Sequence, residues 1–292
     1  MRILIIGSNG LLGRDLVDNW TGDDVIPATS HDADIRDIEQ VRQLVAREHP
    51  DWIVLAAGYT DVDASERDPD QAFSVNRDGA RNVSLVARDL AAKLCYLSTD
   101  YVFDGAARRP YEPDAPVHPL NVYGESKAAG EKAVQEFAGH GLIARTSWLF
   151  GAARASFPEK ILLAADSQPE LRVVADQIGS PTYTRDLAQA VRELVRADAR
   201  GILNITNSGS CSWFEFARAI LQRAGCNTPV FPITSAEAGR LAKRPAYSVL
   251  SPKALAFHGI AMRPWQEALD AYLVERRRKR DLNLGKGHPL IG

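Results

Sequence analysis

A doubly wound, parallel α/β sheet is the fold this chain predicts, with a smaller lobe partly interleaved toward its C-terminal end. Three observations predict it. Apolar strand-like runs alternate with helical stretches up to about residue 150, the rhythm of a parallel sheet covered by helices on both faces. A glycine-rich turn, "GSNGLLG", lies directly between the first strand and the first helix. Beyond about Gly151 the rhythm shortens and proline becomes more frequent.

The elements follow in order. "RILIIG" is a continuous apolar run ended by glycine, as in a strand buried on both faces. "LLGRDLVDNW" has helical spacing, and "DVIPATS" reads as the second strand. In "DIEQVRQLVAREHP", Ile38, Val41, Leu44 and Val45 fall on one helical face. "DWIVLAAG" is a third strand, "PDQAFSVNRDGARNVSLVARDLA" a long helix and "KLCYLST" a fourth strand. "SKAAGEKAVQEFA" is a helix and "GLIARTSWLF" a strand. In the later part "LRVVADQ" is a short strand, "TRDLAQAVRELVRA" a helix, and "GILNIT" a strand able to extend the main sheet. "SWFEFARAILQRAG", "SPKALAFHG" and "RPWQEALDAYLVE" read as helices. The expected division is a dinucleotide-binding domain over 1–150 that also takes 184–206, a substrate lobe from 151–183 and 207–275, and a basic tail over 276–292.

Bulk properties narrow the function. The chain has 292 residues, enough for a large core. Hydrophobic residues are 45% and charged residues 25%, as in soluble globular proteins. A net charge of −2 provides no field for nucleic acid or membrane. Cys95, Cys211 and Cys226 are far apart and odd in number, which suits a reducing cytoplasm rather than a disulfide framework. No run reaches membrane-spanning length, and the apolar start is too short for a signal peptide. The six histidines show no ligand spacing. Cys95 reads as packing. "RRRKR" at 276–280 reads as a solvated helix end, since no basic stripe elsewhere supports it.

Gly7, Gly10 and Gly13 follow the first strand and open a helix. Glycines there let backbone amides and a helix N-terminus approach a pyrophosphate, so the loop is read as dinucleotide-binding. The second strand ends in "ATSHDAD". Neither acid nor arginine stands at Thr29 or Ser30, and Asp34 and Ile35 are better placed to meet the adenine. NADPH is the expected cofactor, with NADH tolerated.

"LSTDYVFDG" puts Ser98, Thr99 and Asp100 at the carboxyl end of the fourth strand, where open α/β sheets bind ligands. "YGESK" puts Tyr123 and Lys127 four residues apart, on one helical face. An ammonium beside a phenol is expected to lower its pKa and fit it for proton transfer. The lysine can also reach the ribose of a nicotinamide nucleotide, and Thr99 can orient a substrate oxygen. Trp148, at another strand end, can stack on a sugar or base; core packing is the alternative.

This constellation resembles the extended short-chain dehydrogenase/reductase superfamily, and more narrowly the dTDP-4-dehydrorhamnose reductase family. The stretches that carry the resemblance are "GSNGLLG", "AAGYTDVDASERDPDQAFSVN", "LSTDYVFDG", "NVYGESKAAGE", "ARTSWLFG", "ADQIGSPTYTRDLA" and "RPAYSVLS", spread over nearly the whole chain. It implies that Thr99, Tyr123 and Lys127 are catalytic. It implies cofactor contacts from Gly10, Leu11, Leu12, Asp34, Ile35, Gly58, Tyr59 and Thr60, and substrate contacts from Thr99, Asp100 and Trp148. The implied reaction is NADPH-dependent reduction of the C4 carbonyl of dTDP-4-dehydro-L-rhamnose by a monomer or homodimer. Two departures stand out. Tyr247 replaces the family's usual asparagine, in the lobe expected to choose the sugar. Some members hold magnesium with glutamates at a dimer interface; two matching positions here are Asp15 and Arg185, and a cation is a poor neighbour for a metal ion, so no metal is expected. The rival readings are another nucleotide-sugar 4-ketoreductase, a 4-epimerase with retained NAD, and a non-catalytic regulatory subunit. The intact Thr99, Tyr123 and Lys127 set speaks against the last.

Overall fold

The structure, a computed structural model, describes residues 1–285. The last part of the expected basic tail, 286–292, lies outside the described residues. Strand β1 (Arg2–Ile6) is followed by α1 (Leu11–Asn19), β2 (Asp24–Ala28), α2 (Ile38–Glu48) and β3 (Trp52–Leu55). Short helices α3 (Val62–Arg67) and α4 (Pro69–Phe73) lead through a π-helical turn, Ser74–Asp78, into α5 (Gly79–Asp89). The long helix expected from "PDQAFSVNRDGARNVSLVARDLA" is therefore interrupted by a wide turn, a feature that often marks functional positions. Then come β4 (Lys93–Thr99), a 3₁₀ turn (Asp100–Val102), α6 (Val122–Phe137) and β5 (Gly141–Thr146).

The strand expected from "GLIARTSWLF" breaks. Strand β5 stops at Thr146, Trp148 takes a left-handed φ of 47°, and β6 (Leu149–Phe150) leaves in a new direction to join the second lobe. A bulky residue at positive φ is strained, and neither apolar content nor alternation signals it.

The second lobe holds α7 (Phe157–Ser167), β7 (Leu171–Val174), β8 (Ile178–Gly179) and β9 (Thr182–Tyr183). The chain returns to the first lobe for α8 (Thr184–Arg196) and β10 (Gly201–Asn204), then leaves again as β11 (Cys211–Ser212), α9 (Trp213–Ala224), β12 (Val230–Ile233) and α10 (Ser235–Ala238). "SPKALAFHG" forms a 3₁₀ segment, Lys253–His258, rather than an α-helix, and α11 (Trp265–Gly285) ends the described chain.

The main sheet has the order β10-β5-β4-β3-β1-β2, and every pairing is parallel. Successive residues of β1 serve opposite cores, as the period of two requires. Ile3 and Ile5 pack with Leu16, Leu187 and Val191 on one face. Leu4 and Ile6 pack with Val41, Leu44 and Val83 on the other. The second lobe is held by a separate, aromatic core that includes Trp148, Phe150, Phe216, Trp265 and Tyr272. Among the described residues no helix is long and apolar enough to cross a membrane.

Candidate active site

The glycine loop is shaped by what cannot fit. At Gly7, with φ +91°, a Cβ would lie 2.5 Å from the Ala57 nitrogen. At Gly13 it would lie 2.0 Å from the Gly7 carbonyl oxygen. Packing within the fold alone forbids side chains there. Gly10 differs, because its Cβ would meet only the Gly7 oxygen, at 3.2 Å. It is the N-cap of α1 and supplies no side-chain cap. The first-turn amides of Leu11, Leu12 and Gly13 are thus left for an anion. The side chain of Leu12 is buried in the sheet core, so any ligand contact it makes is through its backbone.

Past β2, Ile35 is buried and packs against Gly79. Asp34 is gripped by Arg36, whose Nε lies 3.0 and 2.9 Å from its two oxygens. That guanidinium holds the Asp34 carboxyl below the usual carboxylate range. Arg36 is largely exposed, and nothing in the sequence singled it out.

Gly58, Tyr59 and Thr60 form the loop after β3. Buried Asn76, in the π-helical turn, holds this loop. Its Oδ1 accepts from the Tyr59 amide at 2.9 Å, and its Nδ2 donates to the Tyr59 carbonyl and to Ser126 Oγ, each at 2.9 Å. A Cβ on Gly58 would lie 3.9 Å from Lys127 Nζ. Loop and lysine therefore share one wall. Asn76 was legible only as part of "SVN", with no signal of its role.

Helix α6 starts one turn earlier than "SKAAGEKAVQEFA" suggests, because Asn121 caps it by accepting from the Gly124 amide at 2.8 Å. Tyr123 is half-buried in its first turn, its ring edge-on to Tyr101 at 5.7 Å. Lys127 is 4% exposed, donates from Nζ to the Leu97 carbonyl at 2.6 Å and sits 4.0 Å from the Tyr96 ring centroid. Burial pushes the Tyr123 phenol up to about 12, with the Thr99 hydroxyl pulling the other way. Burial pushes the Lys127 ammonium down to about 7, with Glu131 opposing it. The expectation that Lys127 lowers the Tyr123 pKa is corrected: the lysine's one hydrogen bond is to strand β4, and burial dominates both groups. A phenol that holds its proton is the form a general acid needs.

Thr99 and Asp100 do meet Tyr123 at the end of β4. The Thr99 hydroxyl donates to Asp100 Oδ1 at 3.1 Å, and Ser248 Oγ donates to Asp100 Oδ2 at 2.5 Å. Asp100 is 2% exposed, and burial raises its carboxyl to about 7. Ser248 comes from the second lobe and was not singled out in the sequence. Neighbouring Tyr247 forms a bridge with Ile178. Trp148 is largely buried in the aromatic core, stacks on Trp213 at 3.5 Å with the planes 6° apart, and has Gly179 against its ring, so the structure shows the core residue, and the stacking partner it gives is Trp213.

The residues that would correspond to a magnesium site do not fit one. Arg185 Nη2 lies 3.1 Å from Glu275 Oε1, and its Nε lies 3.6 Å from Asp15 Oδ1. Lys279 Nζ is 2.9 Å from the same Glu275 oxygen. The carboxylates already have two cations as partners. In the basic run, Arg276 pairs with Glu159, so at least one of its charges braces α11 against α7.

A parallel sheet with an uncapped, glycine-bared helix N-terminus, and a phenol and lysine at the strand ends, places the molecule among the Rossmann-type oxidoreductases of the short-chain dehydrogenase/reductase class. Comparison with known proteins narrows this further. The family model described as RmlD substrate binding domain matches residues 1–278, and the chain belongs to that family. It is 42% identical over 277 residues to the spore coat polysaccharide biosynthesis protein SpsK of Bacillus subtilis, covering 94% of this chain and 98% of the relative. It is 40% identical to a dTDP-4-keto-6-deoxy-D-glucose reductase of Streptomyces niveus, covering 92% of this chain and 95% of the relative. The crystal structure of dTDP-4-dehydrorhamnose reductase from Bacillus anthracis in complex with NADP superposes with a TM-score of 0.92 at 39% identity, covering 94% of this chain and 99% of that one.

Proposed function

We propose that the chain reduces the C4 keto group of dTDP-4-dehydro-L-rhamnose with NADPH, giving dTDP-L-rhamnose. The observation that carries this reading is the shared wall of Gly58 and Lys127, with Tyr123 one turn away on the same helix. It joins a cofactor-side loop to a proton donor. The NADP-bound Bacillus anthracis relative supports the choice of cofactor.

NADPH, when bound, supplies the hydride that enters the sugar C4. The amides of Leu11, Leu12 and Gly13 hold the pyrophosphate, with Gly7 and Gly10 shaping the loop. Asp34, Ile35 and Arg36 meet the adenosine end, and Gly58, Tyr59 and Thr60 line the path to the nicotinamide. Tyr123 gives its phenolic proton to the carbonyl oxygen as that oxygen gains charge. Thr99 orients the same oxygen, and Lys127 steadies the cofactor ribose. Asp100 and Trp148 contact the sugar where it meets a substrate lobe of 151–183 and 207–275.

A second reading is favoured by the Streptomyces niveus relative: the same chemistry on dTDP-4-keto-6-deoxy-D-glucose. The test is NADPH absorbance with purified protein and each 4-keto sugar in turn. Faster turnover of the rhamnose precursor supports the first reading, and faster turnover of the glucose-derived sugar replaces it. An epimerase would interconvert sugars with no net NADPH loss.

A further inference from the structure

Helix α6 grips three consecutive residues of β4. Tyr123 meets Thr99. Lys127, one turn on, donates to the Leu97 carbonyl. Glu131, one turn further, accepts from Ser98 Oγ at 2.5 Å. The four-residue spacing that makes phenol and ammonium neighbours thus continues to a carboxylate on the same face.

Glu131 is 4% exposed, and a buried carboxylate needs a cation. Arg145 supplies it as a fork, with Nε to Oε1 at 2.9 Å and Nη2 to Oε2 at 2.7 Å. Arg145 stands opposite Ser98 across the β4–β5 pair. Its Nη1 donates to the Pro113 carbonyl at 2.9 Å, and its guanidinium lies 5.1 Å from the Phe103 ring centroid. An arginine does not give up its proton, so this charge is a fixed partner of Glu131 in the core.

Of the titratable groups on neighbouring elements, Tyr96 of β4 lies against Lys127, Tyr123 and Glu131 stand one turn to either side of it on α6, the 3₁₀ turn carries Asp100 and Tyr101, and β5 carries Arg145 opposite Ser98. From α3, Glu66 accepts from the Val122 amide at the start of the helix. Asp100 is already bound to Thr99 and Ser248. Glu131 is the one group that counters the effect of burial on Lys127.

We propose that Glu131 is a positioning residue for the reduction: held by Arg145 and Ser98, it seats α6 on β4 and cancels the arginine's charge, so that Lys127 stays an ammonium. The chemistry rests on the function proposed above, but the readout does not. NADPH affinity, measured by fluorescence against pH, needs no sugar.

Wild-type affinity falls along an alkaline limb as Lys127 loses its proton. Glu131→Gln leaves Arg145 uncancelled and moves that limb to lower pH by about one unit. Arg145→Gln leaves the carboxylate alone and moves it to higher pH. The double variant buries a neutral pair, which proteins commonly tolerate, and moves the limb to lower pH by less than Glu131→Gln does. A merely structural glutamate would lower the melting temperature and leave the limb in place. An unmoved limb in Glu131→Gln, or in the double variant where the single one does not fold, overturns the proposal, as does a wild type without the limb. Shifted limbs in a protein that reduces neither 4-keto sugar would leave Glu131 in this role and discard the substrate reading.

Discussion

The two halves of the candidate site are built by opposite means. The loop from Gly7 to Gly13 works through missing side chains: bare backbone and an open helix N-terminus. The end of β4 works through side chains buried almost completely: Ser98, Thr99, Asp100, Lys127, Glu131 and Arg145 are each no more than 6% exposed. The first design costs little desolvation, because amides at a helix start need a partner in any case. The second takes charges out of water, and it holds only because nearly every oxygen and nitrogen has a partner. Backbone sites are therefore robust to pH, while the buried cluster carries the displaced pKa values of Tyr123, Lys127 and Asp100.

That contrast can be tested from its largest consequence to its smallest. Tyr123→Phe removes the proton donor alone, so turnover falls by roughly 10² or more while NADPH affinity holds. Stopped-flow reduction and calorimetric titration check the two parts, and lost cofactor binding would mean that the regions are not separable. Gly10→Val does the converse. With only the Gly7 oxygen at 3.2 Å inside the fold, the protein folds, but NADPH affinity drops by about tenfold or more as the side chain blocks the pyrophosphate. Unchanged affinity would move the phosphate site elsewhere.

Arg36→Ala refines the loop side. An arginine near the end of β2 suits a ribose 2′-phosphate, so KM for NADPH rises several-fold while KM for NADH changes little. Equal changes for both would leave Arg36 as a partner of Asp34 only.

Asp100→Asn probes the buried side through stability. The Asp100 carboxyl sits at about 7 in the folded protein, against an ordinary value of 3.8. Between those values the folded state keeps a proton that the unfolded chain has released. The stability contributed is present below the lower value, declines as pH rises, and is lost above the upper one. Asparagine cannot ionise, so the variant melts several degrees above wild type at about pH 8 and close to it at about pH 4. A pH-independent difference would contradict the burial of that charge. The smallest effect expected is none: with Arg185 and Lys279 on the Asp15–Glu275 pair, activity survives exhaustive chelation. A loss restored only by magnesium would reverse that assignment.

By itself the sequence determined the parallel α/β architecture, the glycine loop, and the order of Thr99, Tyr123 and Lys127. These are features of period and spacing: alternation fixes which faces are buried, and four residues along a helix fix a shared side. The tertiary structure alone decided the break at Trp148, where strain at a positive φ leaves no mark in apolar content. It also placed Asn76, Glu131, Arg145 and Ser248 in the site. Arg145 meets Glu131 across 14 residues, and Ser248 meets Asp100 across 148. Such pairs have no sequence period. Whether a lysine acts on a nearby phenol or turns to a strand carbonyl is likewise set by which atoms burial brings together, and the spacing in "YGESK" is the same for both.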